Sequence, residues 1–185
     1  MLASTLTSSI GTNVQGIAVY RGKAYVVRYK DTCVYRVSLM TGVPSVILGT
    51  DGTAGDINTK GQNLFTGLVA TDVDCPRKSL ILSDYTLDRV KQYSFPDGTT
   101  VDLVGNAQTY VYNGPGPLAG TTYNINGPYG VTYANDVLYI AESACNRVSR
   151  RGRTAGTQTA TCEGWTKTST KGPLTSAAAF LRQDW

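Results

Sequence analysis

Two acidic residues of this sequence are each followed, five positions later, by an arginine: Asp84 by Arg89 and Glu142 by Arg147. A carboxylate without a partner can act as a general base or hold a cation. Beside a guanidinium it is held ionised in a charge-assisted hydrogen bond instead. We therefore assign these four residues structural roles, and we predict that each pair contacts itself or the neighbouring backbone and fixes a turn.

Other residues that could carry chemistry are sparse. The 185 residues contain no histidine, which removes the commonest general base and a principal zinc ligand. Asp72 and Asp74 form a D-x-D pair that could bind calcium, but without a third oxygen-rich loop a surface turn is favoured. No glycine-rich phosphate loop or nucleophile elbow is found. The sequence thus predicts no catalytic residue, no metal site and no cofactor, and a chain that is not an enzyme by itself.

Positive charge is concentrated at residues 147–153. The net charge is +4, and one dense group of arginines stands out: Arg147, Arg150, Arg151 and Arg153. Such a group could contact the phosphates of RNA. No aromatic residues are interleaved with it, and Arg147 already has Glu142 as a partner. A solvated outer edge of a sheet, where positive charge discourages aggregation, is therefore favoured over an RNA site.

The cysteines indicate no metal site, because no C-x-x-C spacing occurs. They are Cys33, Cys75, Cys145 and Cys162. Cys145 and Cys162 could approach each other across one sheet, but we favour four free, mostly buried thiols. No apolar run is long enough to cross a bilayer, and nothing in the sequence indicates a compartment.

The elements that must position these residues come in three similar units. Each unit starts at a glycine followed by an apolar pair, except that the second place is polar in the third unit (Thr132). The starts are 51 and 63 residues apart: Gly16, Gly67 and Gly130. In the first two units a valine, Val34 or Val90, lies 15 residues before a further glycine. Self-similarity at such a period is the signature of a repeat architecture.

Each unit reads as four short strands. Its apolar runs are four to seven residues long, rich in Val, Ile, Leu and Tyr, and bounded by turn residues. The predicted strands are 17–20, 24–29, 33–39 and 43–48; 68–72, 79–83, 89–95 and 100–104; and 130–134, 137–141, 147–150 and 157–162. Four antiparallel strands per repeat of about 40–60 residues are typical of a β-propeller blade, because one such sheet buries both faces only by stacking. The predicted fold is all-β, with three blades.

The third unit resembles an NHL repeat. Residues 126–133 (NGPYGVTY) and 137–148 (VLYIAESACNRV) are similar to the typical blade, P-x-G-V-A-V-D followed after a turn by V-Y-V-A-D-S-x-N-x-R-I. The second unit is similar over 80–90. The first unit has Arg28 in place of the acid and Cys33 in place of the arginine. Such a joint loss is expected if the acid and the arginine contact each other in the other units, because either residue without the other would be an unpaired charge. The low-density-lipoprotein-receptor type of repeat is the runner-up, but its Y-W-T-D core is absent.

The resemblance implies one NHL-like propeller segment over residues 1–185. Its blades would span about 14–49, 67–105 and 128–163, with 164–185 as a linker to a next blade. Known propellers have about 4–8 blades, so three do not close a ring. We expect a part of a larger propeller. The alternatives are self-association, in which three blades of another copy complete the ring, and an open ring with exposed sheet edges.

A function follows from where the loops lie. The long connections 49–66 and 105–129 cross the same face of a propeller as the turns between second and third strands, and loops over a rigid scaffold are usual binding surfaces. We expect a non-catalytic scaffold that binds a protein or peptide through this face, with Lys30, Tyr85 and Tyr112 as contacts. The alternatives are part of a propeller lyase or hydrolase whose catalytic residues lie outside this chain, and an NHL module that binds RNA through the four arginines.

Overall fold

The computed structural model describes residues 5–6, 10–29, 32–105 and 125–152, which form three antiparallel sheets and almost no helix. Sheet 1 contains β1 (Val14–Tyr20), β2 (Lys23–Arg28), β3 (Val34–Ser38) and β4 (Pro44–Leu48). Sheet 2 contains β5 (Leu68–Asp74), β6 (Ser79–Asp84), β7 (Arg89–Ser94) and β8 (Thr100–Val104). Sheet 3 contains β9 (Pro128–Ala134), β10 (Val137–Glu142) and β11 (Arg147–Gly152), with a 3-10 turn at Ser143–Cys145.

The all-β fold predicted from the sequence is confirmed. In each sheet the strands follow one another in chain order, each paired antiparallel with the next. Sheets 1 and 2 have the expected four strands. The fourth strand predicted for the third unit, 157–162, and the linker at 164–185 lie outside the described residues.

The equivalent positions of the three units differ from those that the glycines Gly16, Gly67 and Gly130 indicated. The backbone N–H groups of Tyr29, Tyr85 and Ser143 donate to the carbonyls of Asn13, Gly67 and Gly127. The three acceptor positions are 54 and 60 residues apart, and the three donor positions are 56 and 58 apart, rather than 51 and 63. Gly16 and Gly130 lie inside the first strands, whereas Gly67 precedes one.

The turn between first and second strands explains part of the irregular spacing, namely the two residues by which the donor and acceptor spacings differ. In sheets 1 and 3 it has two residues with positive φ, Arg21 and Gly22 (47° and 69°) or Asn135 and Asp136 (52° and 60°). This geometry matches the twist of a tight hairpin. In sheet 2 the turn is longer and spans 75–78. The two extra residues shift the later strands of that unit.

Apolar cores lie between consecutive sheets. Tyr25, Val27 and Val34 of sheet 1 pack against Leu80 and Leu82 of sheet 2. A second core joins sheets 2 and 3 through residues of both: Ile81, Val90, Leu103, Val104, Tyr133, Leu138 and Ile140. Each sheet therefore has a front face, toward the preceding sheet of the chain, and a back face, toward the next one. On the front face of sheet 1 a third cluster is buried: Ala24, Val26, Cys33, Tyr35 and Val37.

The first strands lie innermost. β1 packs against β5, and β5 against β9. Gly16 allows the closest approach, because a Cβ there would lie 2.8 Å from the Cα of Ala70. The hydroxyl of Tyr129 in β9 also donates to Oε1 of Gln15 in β1, at 3.1 Å, although sheet 2 lies between their sheets. Sheets 1 and 3 can meet there only if the three sheets radiate from a common axis near their first strands.

The expectation of four free thiols is wrong for Cys75, which is disulfide-bonded. Cys33 is not disulfide-bonded and is buried inside the front-face cluster, and Cys145 is free and half-buried. The alternative of a bond from Cys145 to Cys162 is therefore also wrong, and Cys162 itself lies outside the described residues. Within the described parts of the chain, no helix has the length and apolarity to span a membrane.

Candidate functional site at the loop end

Buried carboxylates organise the end of the sheets where second strands lead into third strands and where the connections between units arrive. We call this the loop end. Asp84, the last residue of β6, is fully buried. It accepts hydrogen bonds from the backbone N–H groups of Thr66 and Gly67, both at 2.9 Å, and of Leu87 at 3.2 Å. Burial raises the pKa of this carboxyl, and the three N–H donors oppose the rise. The carboxylate thus ties the incoming connection to the following turn.

Glu142 does the equivalent work in sheet 3, and the predicted contact with Arg147 is present. The guanidinium donates from Nε to Oε1 at 2.9 Å and from Nη2 to Oε2 at 2.8 Å. The N–H of Asn126 donates to Oε2 at 3.0 Å, and the Ser149 hydroxyl donates to Oε1. Only 1% of Glu142 is exposed. The bidentate, charge-assisted contact with Arg147 compensates for the cost of burying the Glu142 carboxylate.

Arg89 does not pair with Asp84, although the register places the two residues opposite each other. It bridges Asp56, in the connection before sheet 2, and Asp102 of β8. Lys91, with 0% of its side chain exposed, joins the same two carboxylates at 2.6 and 3.3 Å. Asp84 is already satisfied by backbone donors, so the arginine clamps the connection onto the sheet instead.

The first unit inverts this arrangement. Arg28 occupies the position of Asp84 and Glu142, and its Nε donates to the carbonyl of Thr12 at 3.0 Å. Its Nη1 donates to the hydroxyl of Tyr35 at 2.8 Å. A donor at this position binds the carbonyl of the incoming segment, where an acid binds the amide.

Asp72 and Asp74, expected in a surface turn, instead help to join sheets 2 and 3. Asp72 accepts from the backbone N–H of Tyr133 at 2.7 Å. Asp74 is fully buried and pairs with Arg77, which also reaches Asp136 at 3.2 Å. Burial and the Asp136 carboxylate raise the pKa of Tyr133 to about 12. The expectation failed because both residues belong to β5 rather than to the turn after it.

Two tyrosines, one half-buried and one exposed, lie at the loop end near the axis. Tyr85, one of the predicted contacts, packs edge-to-face on Tyr129, with ring centroids 6.0 Å apart. Tyr129 is 50% exposed, and Gln15 holds its hydroxyl. Beneath them, Asp88 accepts from the N–H of Gly127 at 2.7 Å and so links sheet 2 to sheet 3. We call Tyr85, Tyr129 and Gln15 the axial cluster.

The remaining predicted contacts are not brought to this cluster. Arg147 and Arg151 lie on the front face of sheet 3, where Arg151 donates to the carbonyl of Leu103 in sheet 2. Burial lowers the pKa of Arg151. Arg150 lies on the opposite face, across from Tyr139. Three of the four arginines are thus divided between two faces; Arg153, Lys30 and Tyr112 lie outside the described residues.

Sequence reasoning missed several residues of the loop end: Gln15, Asp56, Asp88, Lys91, Asp102 and Tyr129. Their partners are distant in the chain, so no local spacing marks them. The positive φ of Asp88, 51°, is a local signal in retrospect, because aspartate is one of the few residues that adopt it readily. Among the described residues, no three His, Cys, Asp or Glu side chains lie close enough to hold a metal ion.

Comparisons with known proteins support the architecture. No protein-family model matches the chain, and no curated protein is significantly similar to it. Among solved structures, an auxiliary nutrient binding protein from Bacteroides ovatus matches with a TM-score of 0.60 and 20% identity, over 72% of this chain and 36% of that one. One from Bacteroides thetaiotaomicron matches at 0.54 and 16%, over 74% and 36%. These neighbours are β-propeller-type proteins. The chain is therefore all-β and propeller-like, and it spans about a third of their length.

Proposed function

We propose that this chain is an NHL-type propeller segment that acts as a non-catalytic binding module, contacting a protein or peptide through the axial cluster. The edge-to-face pair of the exposed Tyr129 and the half-buried Tyr85 is the observation that carries this proposal. Tyrosines supply large, amphipathic contact areas at protein interfaces. Gln15 and the link from Asp88 to Gly127 hold the pair in place before a partner arrives, which reduces the entropy lost on binding.

The buried carboxylates of the loop end already bind groups of the scaffold, which favours a binding role over a catalytic one. The acid–base chemistry of a hydrolase or lyase needs a group that can reach a substrate. At the loop end, Asp84 binds three backbone N–H groups, and Glu142 binds a guanidinium, an amide and a hydroxyl. Both are committed to the scaffold. A propeller enzyme whose catalytic residues lie outside this chain is the alternative.

The solved neighbours described as nutrient binding proteins support a binding role in general terms. An NHL module that binds RNA is less well supported, because Arg147 and Arg151 serve the contact with Glu142 and with sheet 2. Only Arg150, among the three described arginines of the group, extends from the other face.

A peptide selection tests the proposal. Peptides selected from a random displayed library against the full chain should bind it, and Tyr129→Ala should weaken their binding at least about tenfold, as for an interface hot spot. Val101→Ala, which truncates an exposed side chain on β8, should leave the affinity unchanged.

Two results would contradict the binding role. One is a set of selected peptides whose affinity is indifferent to Tyr129→Ala. The other is affinity for a mixed RNA pool that persists at physiological salt and is lost with Arg150→Ala, because phosphate contacts weaken steeply with ionic strength. That second result would favour the RNA-binding alternative.

A further inference from the structure

The end of sheet 1 that lies opposite the loop end carries uncompensated positive charge. We call it the hairpin end, because the first strand turns into the second there at 21–22 and the third into the fourth at 39–43. Among the described residues of this sheet, 14–29 and 32–48, four are basic and none is acidic: Arg21, Lys23, Arg28 and Arg36. Arg28 belongs to the loop end. The other three form no ion pair within the described parts of the chain.

The second turn of this end presents apolar side chains to water. Met40 is 93% exposed and Val43 is 63% exposed. Leu6, which lies against Gly42 of the same turn, is 47% exposed. A single exposed apolar residue is ordinary on a protein surface, but a group of them beside unpaired cations indicates an interaction surface.

The two turns lie side by side, so the cations and the apolar side chains belong to one surface. The N–H of Leu39 donates to the carbonyl of Gly22 at 3.0 Å. In the register of β2 and β3, Lys23 lies opposite Ser38, and Arg36 is two positions from Ser38 on the same strand. We call these five residues the basic tip: Arg21, Lys23, Arg36, Met40 and Val43.

The matching turn of sheet 2 shows that the exposure of Met40 belongs to its position. Gly42 and Gly98 both have a φ of 68°, so the two turns have the same backbone at this point. Pro96, the counterpart of Met40, and the next residue, Asp97, are exposed although sheet 2 has a neighbouring sheet on each face. Met40 is therefore exposed because it lies at the end of a sheet. Sheet 2 has proline and aspartate where sheet 1 has an apolar tip.

A lipid surface fits the basic tip better than a nucleic acid does. Single-stranded RNA is bound by stacking bases on open aromatic rings. Tyr20, next to Arg21, already has two ring partners: Phe95 stacks on it at 5.4 Å, and the guanidinium of Arg21 lies over it at 5.3 Å. Exposed apolar side chains also have no role in a phosphate contact. Anionic head groups attract Lys and Arg, and the boundary with the acyl chains takes up apolar side chains.

We propose that the basic tip binds the surface of a membrane that contains anionic lipids. Met40 and Val43 enter the boundary between head groups and acyl chains, and Arg21, Lys23 and Arg36 contact the head groups. Either contribution alone gives weak, reversible binding, and the two together hold the chain on the surface. The loop end then faces away from the membrane. This inference is independent of the binding role of the axial cluster, which lies at the other end of the sheets.

Co-sedimentation of the full chain with lipid vesicles tests the proposal. Vesicles of equal parts phosphatidylcholine and phosphatidylglycerol should bind the wild-type chain, and vesicles of phosphatidylcholine alone should bind it at least about tenfold more weakly. Met40→Asp should lower the affinity for the mixed vesicles at least about tenfold, because it replaces an apolar contact by a repelled charge. Val14→Asp is the matched control, on an exposed site at the loop end of the same sheet, and should leave the affinity unchanged. Equal urea midpoints would verify that both variants are folded.

A nitroxide label measures insertion directly. Introduced at Met40 as a noncanonical amino acid, it should collide more often with oxygen and less often with a water-soluble nickel complex when the mixed vesicles are added. Oxygen dissolves in the acyl chains, whereas the nickel complex stays in water. The same label at Val14 should keep its accessibility to the nickel complex.

Several results would overturn the proposal. These are a wild-type chain that does not bind the mixed vesicles, equal binding to both kinds of vesicle, binding that is indifferent to Met40→Asp, and a label at Met40 that stays in water. Affinity for a mixed RNA pool that is lost with Arg21→Gln but kept with Met40→Asp would also overturn it, because the cations would then serve phosphate contacts of a nucleic acid.

Discussion

At the scale of single residues, the position at the end of the second strand sets how each connection joins its sheet. The same two positions meet in all three units: Arg28 with Thr12, Asp84 with Thr66, and Glu142 with Asn126. An acid accepts from the amide, and arginine donates to the carbonyl. The backbone of the incoming segment offers both groups, so either sign of charge can serve.

The pH dependence of stability should reveal the buried carboxylate of Asp88. Burial raises its pKa, as does the nearby negative charge of Glu142, while the N–H of Gly127 opposes the rise. A raised pKa means that the folded protein binds the proton more tightly than the unfolded chain does. The carboxyl group therefore favours folding most below its ordinary pKa of 3.8, and this contribution is lost as the pH rises through the raised value.

Asp88→Asn isolates this contribution, because asparagine accepts the positive φ and its carbonyl can still accept from Gly127. Urea unfolding of both proteins between about pH 3.5 and pH 7 should show the variant gaining stability relative to wild type as the pH rises. A difference that stays constant would show that the pKa of Asp88 is the same in the folded and unfolded protein, and a change in the opposite direction would show that folding lowers it; either result would contradict the account.

At the scale of elements, the alternation of apolar and turn residues sufficed to locate all eleven described strands, because strands with one or two buried faces leave that pattern in the sequence. The same pattern did not predict which positions of the three units are equivalent. Gly67 looks like Gly16 and Gly130 but lies before its strand, and the longer turn at 75–78 displaces what comes after it. Glycine occurs where the backbone needs a positive φ, a tight turn or a close approach, and the sequence alone does not show which of these applies.

The site shows the same division between local and distant contacts. The pair of Glu142 and Arg147 is closed within one hairpin, so its five-residue spacing was a sufficient signal. Arg89 has the same spacing from Asp84, yet its partner Asp56 lies 33 positions away. Only the folded chain brings that connection and β7 together.

The packing of β1 on β5 gives a prediction at this scale. Gly16→Ala places a methyl group 2.8 Å from the Cα of Ala70, so one backbone must shift. Overpacking of this kind should lower the free energy of unfolding by about 1–3 kcal/mol. Gly152→Ala is the matched control, because a Cβ there meets nothing within 4 Å. Equal urea midpoints for the two variants would mean that the two strands are not in close contact.

At the scale of the whole molecule, the three sheets share one axis, and the proposed binding role depends on that geometry. The axial cluster exists because the first strands of sheets 1 and 3 converge over sheet 2.

Distances between spin labels on sheets 1 and 3 test this radial arrangement most directly. One pair of labels would replace Gln15 and Tyr129 near the axis, and the other Val46 and Arg150 on the outer strands. Introducing them as noncanonical amino acids leaves the cysteines intact, and an excess of unlabelled chain suppresses distances between copies. The account predicts a clearly shorter distance for the inner pair than for the outer pair. Equal distances would mean that the sheets are stacked in parallel, which would contradict the propeller geometry.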